Sequence, residues 1–245
     1  MAEHCFVFLI VFVLGILSGT AINALVAWLP PFLYRQWELD ARHLLGQSAK
    51  KTDQSRLKGS HSEMRRALVA LACGFLSVGV VSCFGLTFEG LGFIILTWSL
   101  ISASLIDADH KILPDIIIIP LIWGGLLVNN FGFYTTSSAA LWGGISGYMS
   151  LWIISWFFHL VTGEEGIGHG DFKLVSAIGA WGGWQILPST VFLASSLGVF
   201  VYLSNRLVKH RIITNSRFIP FGPFIAFAGW IVILYSIKAD SFPVL

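Results

Sequence analysis

Charge is what this chain has least of. Asp, Glu, Lys and Arg make up 11% of its 245 residues, against about 25% in an ordinary soluble domain. So few charges cannot cover a water-facing surface, and the 56% hydrophobic content and mean hydropathy of +0.78 agree. A soluble enzyme is thereby excluded. The fold class expected is an all-α polytopic membrane protein, its length taken up by spanning helices rather than by a separate soluble core. Cysteine is nearly as sparse. Cys5, Cys73 and Cys83 all fall in apolar runs and form no Cys-x-x-Cys pair. That pattern supports neither a disulfide framework nor a structural zinc site, and each reads as a buried free thiol. Two further absences narrow the chemistry. The Gly-x-Ser-x-Gly elbow of soluble hydrolases is missing, so no serine or cysteine stands out as a nucleophile. No Lys or Arg precedes the first apolar run, 6–29, which is also longer than the about 7–15 apolar residues of a signal sequence. It is expected to stay as a membrane anchor.

What is present is a series of apolar segments. About 20 such residues cross a bilayer as a helix, and on that rule spans are expected at 6–29, 67–86, 88–106, 115–131, 139–162, 171–184, 187–206 and 218–237. That is about eight transmembrane helices. Gly85, Gly90, Pro114, Gly132 and Pro188 punctuate the joins, as helix breakers should. The sixth span is short and interrupted by Gly179, Gly182 and Gly183, which predicts a half-helix. The one long polar stretch is 30–66. Within it 33–45 mixes charge with aromatic and aliphatic residues and is expected to lie along the lipid interface as an amphipathic helix. The division this implies is 1–66, a first helix plus a cysteine-free loop, and 67–245, a membrane-embedded domain.

Basic residues give the direction. Arg35, Arg42, Lys50, Lys51, Arg56, Lys58, Arg65 and Arg66 lie in 30–66. With eight alternating spans, Lys111, Lys173, Arg206, Lys209, Arg211 and Arg217 fall on the same side, leaving only Lys238 opposite. Cytoplasmic loops are the ones enriched in Lys and Arg, so that side is cytoplasmic and both termini point outward. Anchoring at the lipid surface explains the basic loop, and no nucleic-acid partner is expected.

The same count places Asp107 and Asp171 at one membrane face. Asp107 lies in Ser-Leu-Ile-Asp-Ala-Asp-His-Lys-Ile-Leu-Pro-Asp (104–115), where it follows an apolar span and opens a short loop. Asp171 lies in Gly-Ile-Gly-His-Gly-Asp-Phe-Lys-Leu (166–174) and should begin a helix after a glycine-rich turn. Charge at membrane depth is costly and marks function by default. Two carboxylates sharing a proton are the working parts of an aspartic protease, which activates water. Each has a plainer reading: Asp171 as a helix cap, Asp107 as a solvated helix-end carboxylate. Asp109 competes with Asp107 on these grounds, and Asp115 reads as the cap of the fourth span. His110 and His169 beside Asp109 and Asp171 raise a metal site, but without tight ligand spacing no metal is expected. Glu164 and Glu165 read as interface-level charges, or alternatively as groups that attract a basic substrate segment.

These segments resemble the type IV prepilin peptidases, bacterial inner-membrane aspartic proteases of the Gly-x-Gly-Asp type. The likeness is close at 104–123, at 163–188 including Gly-Ala-Trp-Gly-Gly-Trp-Gln-Ile-Leu-Pro, and at 219–230, Ile-Pro-Phe-Gly-Pro-Phe-Ile-Ala-Phe-Ala-Gly-Trp. It is weaker at 15–30. The resemblance implies that Asp107 and Asp171 are the catalytic pair and that Asp109 is not. It implies substrates too: prepilins or type II secretion pseudopilins, cut to remove a short basic leader, with the active site facing the cytoplasm. Many members then N-methylate the new amino terminus with S-adenosylmethionine. Many also carry two Cys-x-x-Cys pairs in the first cytoplasmic loop. This chain has none there, which argues against zinc and weakens the methyltransferase inference, while the peptidase step needs no cofactor. The rival readings are a proton-coupled transporter, which would want midplane acids and repeat symmetry, and a metal-dependent lipid phosphotransferase, which would want several acids at helical spacing. Neither pattern is seen.

Overall fold

The computed structural model describes residues 2–45, 62–164, 166, 168–208 and 220–241. Among these residues there is no strand; eight α-helices account for nearly all of them. They are α1 (Ala2–Leu44), α2 (Glu63–Phe84), α3 (Phe88–His110), α4 (Asp115–Asn130), α5 (Ser137–Thr162), α6 (His169–Gly182), α7 (Leu187–Val208) and α8 (Gly222–Ser241). Six are long and apolar enough to cross a membrane, while α4 is a shorter apolar helix. The eight expected segments each correspond to one helix. The chain divides into two compact units, Met1–Trp98 and Ser99–Leu245.

In the first unit α1 packs on α2 through small residues. A Cβ on Gly15 would lie 2.7 Å from Gly74 Cα, and one on Gly19 would lie 2.6 Å from Ala70 Cα. Both pairs are spaced four apart, so one glycine stripe meets one small-residue stripe and the backbones approach closely. Asn23 closes the contact by donating from Nδ2 to the Arg66 carbonyl at 3.0 Å. Two expectations need correction here. The break expected at residue 30 is absent: α1 runs on through Pro30 and Pro31 to Leu44, so 33–44 continues the first helix rather than forming a separate one. The second helix starts at Glu63, not 67, because Ser62 caps it, its hydroxyl accepting from the Arg65 N–H at 3.3 Å. Residues 46–61, with Lys50, Lys51, Arg56 and Lys58, lie outside the described residues. Of the three cysteines only Cys73 is buried; Cys5 and Cys83 are exposed, because a spanning helix also has an outward apolar face.

The second unit is built around α6. This helix has 14 residues, about 21 Å of rise, which is short of the about 30 Å hydrocarbon layer. Its residues 174–182 and Phe172 are all buried, as befits a helix apolar on every side. It packs on α5, α4 and α8. Against α5 the contact is glycine on glycine: Cβ atoms on Gly143 and Gly179 would each strike the other's carbonyl, and Ser176 Oγ donates to Gly144 O at 2.7 Å. A helix that ends among apolar neighbours leaves unpaired carbonyls, which an apolar environment cannot satisfy. Asn129, at the end of α4 and fully buried, meets that need. Its Nδ2 donates to the Ala180 and Trp181 carbonyls, both at 2.9 Å, while its Oδ1 accepts from the Tyr134 and Thr135 N–H groups at 3.0 and 3.1 Å. Trp181 Nε1 in turn donates to Leu121 O at 2.8 Å. The half-helix expected from sequence is thus held by its neighbours, and its N-terminal end carries Asp171.

Candidate active site

Asp107 sits in the last turn of α3 rather than opening a loop. The helix persists past it because its backbone carbonyl accepts the Lys111 N–H at 2.8 Å, with Lys111 at φ 57 closing the end. A left-handed φ is usual for the residue after a helix but is more often taken by glycine. In this position the Asp107 side chain turns inward and is 6% exposed, whereas Asp109 is exposed. The two acids, alike on residue patterns alone, differ in burial: one carboxylate is enclosed and the other is exposed.

Asp171 is the third residue of α6. Gly168 is the N-cap and makes no side-chain cap bond, and the Asp171 N–H donates to Gly168 O at 3.0 Å. The plain-cap reading therefore does not describe Asp171. Its carboxylate stands in the first helical turn, where the helix dipole accommodates negative charge. Gly170 is glycine for want of room: a Cβ there would lie 2.9 Å from Leu113 Cβ, in the segment that joins α3 to α4. That close approach brings the α6 start to the end of α3, and the Asp107 and Asp171 carboxylates lie within electrostatic reach of one another. The α4–α5 pair turns the chain back, so that the start of α6 lies against the segment that follows α3 although the two are about 60 residues apart in sequence.

Asp115 needs correcting as well. Pro114 is the N-cap of α4 and has no side-chain bond to give. The Asp115 carboxylate instead receives both contacts of the Lys173 ammonium, at 2.6 and 2.8 Å, so it links α4 to α6 two residues beyond Asp171. His169 is exposed and its ring lies 5.3 Å from that of Phe172. No group of three or more His, Cys, Asp or Glu that could hold a metal ion occurs among the described residues. Glu164 is exposed at the end of α5, its N–H donating to Thr162 Oγ1 at 3.3 Å; Glu165 lies outside the described residues. Two contributors carried no distinct sequence signal. Asn129 is one of two adjacent amides, Asn129 and Asn130, at the end of an apolar run, and Gly222 lies within a quoted motif but had no assigned role. Gly222 donates its N–H to Asp107 Oδ2 at 2.9 Å.

Comparison with known proteins decides the family. Residues 94–203 match the type IV leader peptidase family. A prepilin leader peptidase/N-methyltransferase of Pseudomonas aeruginosa is 38% identical over 271 residues, covering 96% of this chain and 93% of that protein. Those of Stutzerimonas stutzeri and Aeromonas hydrophila are 37% and 33% identical, covering 91% and 93% of this chain and 89% and 90% of theirs. This chain belongs to the type IV leader peptidase family. No solved structure matches it. The matched block contains both carboxylates, Asn129 and Lys173, and ends before Gly222. The transporter and lipid phosphotransferase readings find no support in these relatives.

Proposed function

We propose that this protein is a membrane aspartic endopeptidase that removes the leader from type IV prepilins or type II secretion pseudopilins, with Asp107 and Asp171 as its catalytic pair. The observation that carries the reading is that the fold brings two carboxylates to one place, one enclosed at the end of α3 and one in the first turn of the buried helix α6, where Gly170 packs on Leu113 just past α3. Both belong to the Ser99–Leu245 unit, within the 67–245 stretch read as the peptidase domain, with 1–66 as anchor and loop. One carboxylate is ionised and takes a proton from water as the oxygen attacks the scissile carbonyl. The protonated partner supports the developing oxyanion and then passes its proton to the leaving amine. Two close carboxylates resist double ionisation and titrate as a pair, which supplies both roles at once. The site faces the cytoplasm of a bacterial inner-membrane protein, on the side that holds nearly all the basic residues. Membrane lipid surrounds the helices.

Relatives carry N-methyltransferase in their names, and that activity would take its methyl group from S-adenosylmethionine. The groove on α7 lined by Phe192, Ser195, Ser196, Val199, Phe200 and Leu203 has no carboxylate or amide for the ribose or the sulfonium and does not fit this donor. The proposed mechanism is accordingly that of the peptidase step alone. Co-expression with a prepilin, followed by mass spectrometry of the mature amino terminus, tests the reading and reports methylation separately. Removal of the basic leader just before the hydrophobic helix is expected; an uncut prepilin beside well-folded enzyme would refute the substrate class.

A further inference from the structure

Gly222 has no conformational need to be glycine. The positive-φ glycines of the described residues are Gly85, Gly132, Gly163 and Gly183, and Gly222 opens a helix, where alanine is the better former. What a side chain there would meet is Asp107. A Cβ on Gly222 would lie 2.7 Å from Asp107 Oδ2, closer than such atoms sit, and 3.0 Å from Cγ, so the carboxylate would have to shift. The bare backbone instead brings its N–H to Oδ2 at 2.9 Å. The rest of the first turn is accounted for: Pro223 has no N–H, and the N–H groups of Phe224 and Ile225 both donate to Phe221 O.

We propose that Gly222 is a positioning residue for the catalytic pair, its N–H fixing Asp107 Oδ2 and its missing side chain setting how near α8 stands to that carboxylate. The inference rests on reading Asp107 and Asp171 as the pair. With Oδ2 engaged by an N–H donor, Oδ1 is the Asp107 oxygen that exchanges a proton with the attacking water. The charged groups acting electrostatically within this cluster are Lys111, just past the end of α3, and Asp171 on α6. The position lies beyond the block matched to the family.

The test is Gly222→Ala, assayed on prepilin in membranes at matched protein level. A displaced carboxylate of this kind costs about 10²-fold in rate; kcat should fall by about that factor with KM within about threefold, and the pH–rate profile should move. Gly229→Ala serves as the packing control, since the three atoms nearest to a Cβ there all belong to the Ile178 side chain; it should lower thermal stability and leave the pH profile in place. Asp107→Asn and Asp171→Asn run alongside. If either cleaves normally, the pair itself is misassigned. If both are dead while Gly222→Ala keeps wild-type kcat and pH profile, the pair stands and the role of Gly222 is wrong. Should Gly222→Ala not fold, the wild-type protein decides. Labelling Phe carbonyl carbon and Gly nitrogen selects the three Phe-Gly pairs of the chain, 84–85, 131–132 and 221–222. The Gly222 amide signal should step with pH alongside kcat, and that step should vanish in Asp107→Asn, whose amide oxygen still accepts the bond. A Gly222 signal without a step, or a step that survives Asp107→Asn, overturns the proposal.

Discussion

At the scale of single residues, neighbouring acids have quite different fates. Asp107 and Asp109 could not be separated by residue pattern, and the family resemblance alone favoured the first. The physical separation comes from helix phase: α3 continues one turn further than its apolar run, which turns residue 107 inward and 109 outward. Asp115 was legible as a helix-start residue but not as the partner of Lys173, because the two are 58 positions apart. That ion pair is about half exposed on the Asp115 side, and such pairs contribute about 0–1 kcal/mol. Asp115→Asn and Lys173→Gln should therefore each slow prepilin cleavage by less than about fivefold, as judged from initial rates. A loss as deep as that of Asp171→Asn would place this pair inside the chemistry. The catalytic pair should also be non-additive: the double variant Asp107→Asn/Asp171→Asn should be no slower than either single one, since two groups acting as a unit are lost together.

At the scale of elements, the order and type of all eight helices were readable, because apolar runs of membrane length are bounded by glycine, proline and polar caps. What the runs did not disclose is how a 14-residue helix survives in the membrane. The answer depends on contacts between residues about 50 apart in sequence, in which Asn129 satisfies the last carbonyls of α6. Each buried carbonyl left unsatisfied costs about 1–3 kcal/mol. Asn129→Leu should accordingly lower the thermal unfolding temperature in detergent markedly, with less effect from Asn130→Leu at the exposed neighbouring position. Equal unfolding temperatures for the two variants would show that α6 does not depend on this amide. The first span was expected to end at residue 29, where the polar stretch begins, but polarity does not stop a helix: α1 continues through Pro30 and Pro31 to Leu44.

For the whole molecule, the sidedness of Lys and Arg predicts direction. Reporter fusions within 30–66 and 207–216 should read cytoplasmic, and one after Leu245 should read external. Residues 209–219 and 242–245 lie outside the described residues, so the fusions test the spans that flank them. A cytoplasmic carboxyl terminus would mean that one of the two shorter helices, α4 or α6, does not cross. All three cysteines belong to the Met1–Trp98 unit, whereas both carboxylates belong to Ser99–Leu245. Cleavage should therefore persist after thiol alkylation and under strong zinc chelation. Activity that disappears and returns only with added zinc would contradict a mechanism built on two carboxylates.

That mechanism is tested most directly by prepilin cleavage in membranes carrying wild-type protein, Asp107→Asn or Asp171→Asn at matched levels. Each substitution keeps the size of the side chain and its acceptor oxygen while removing its ability to ionise or carry the shared proton. Both single variants are predicted to leave the prepilin uncut, with unfolding temperatures close to wild type and a bell-shaped pH–rate profile for the wild type alone. Normal leader removal by either variant would contradict the account.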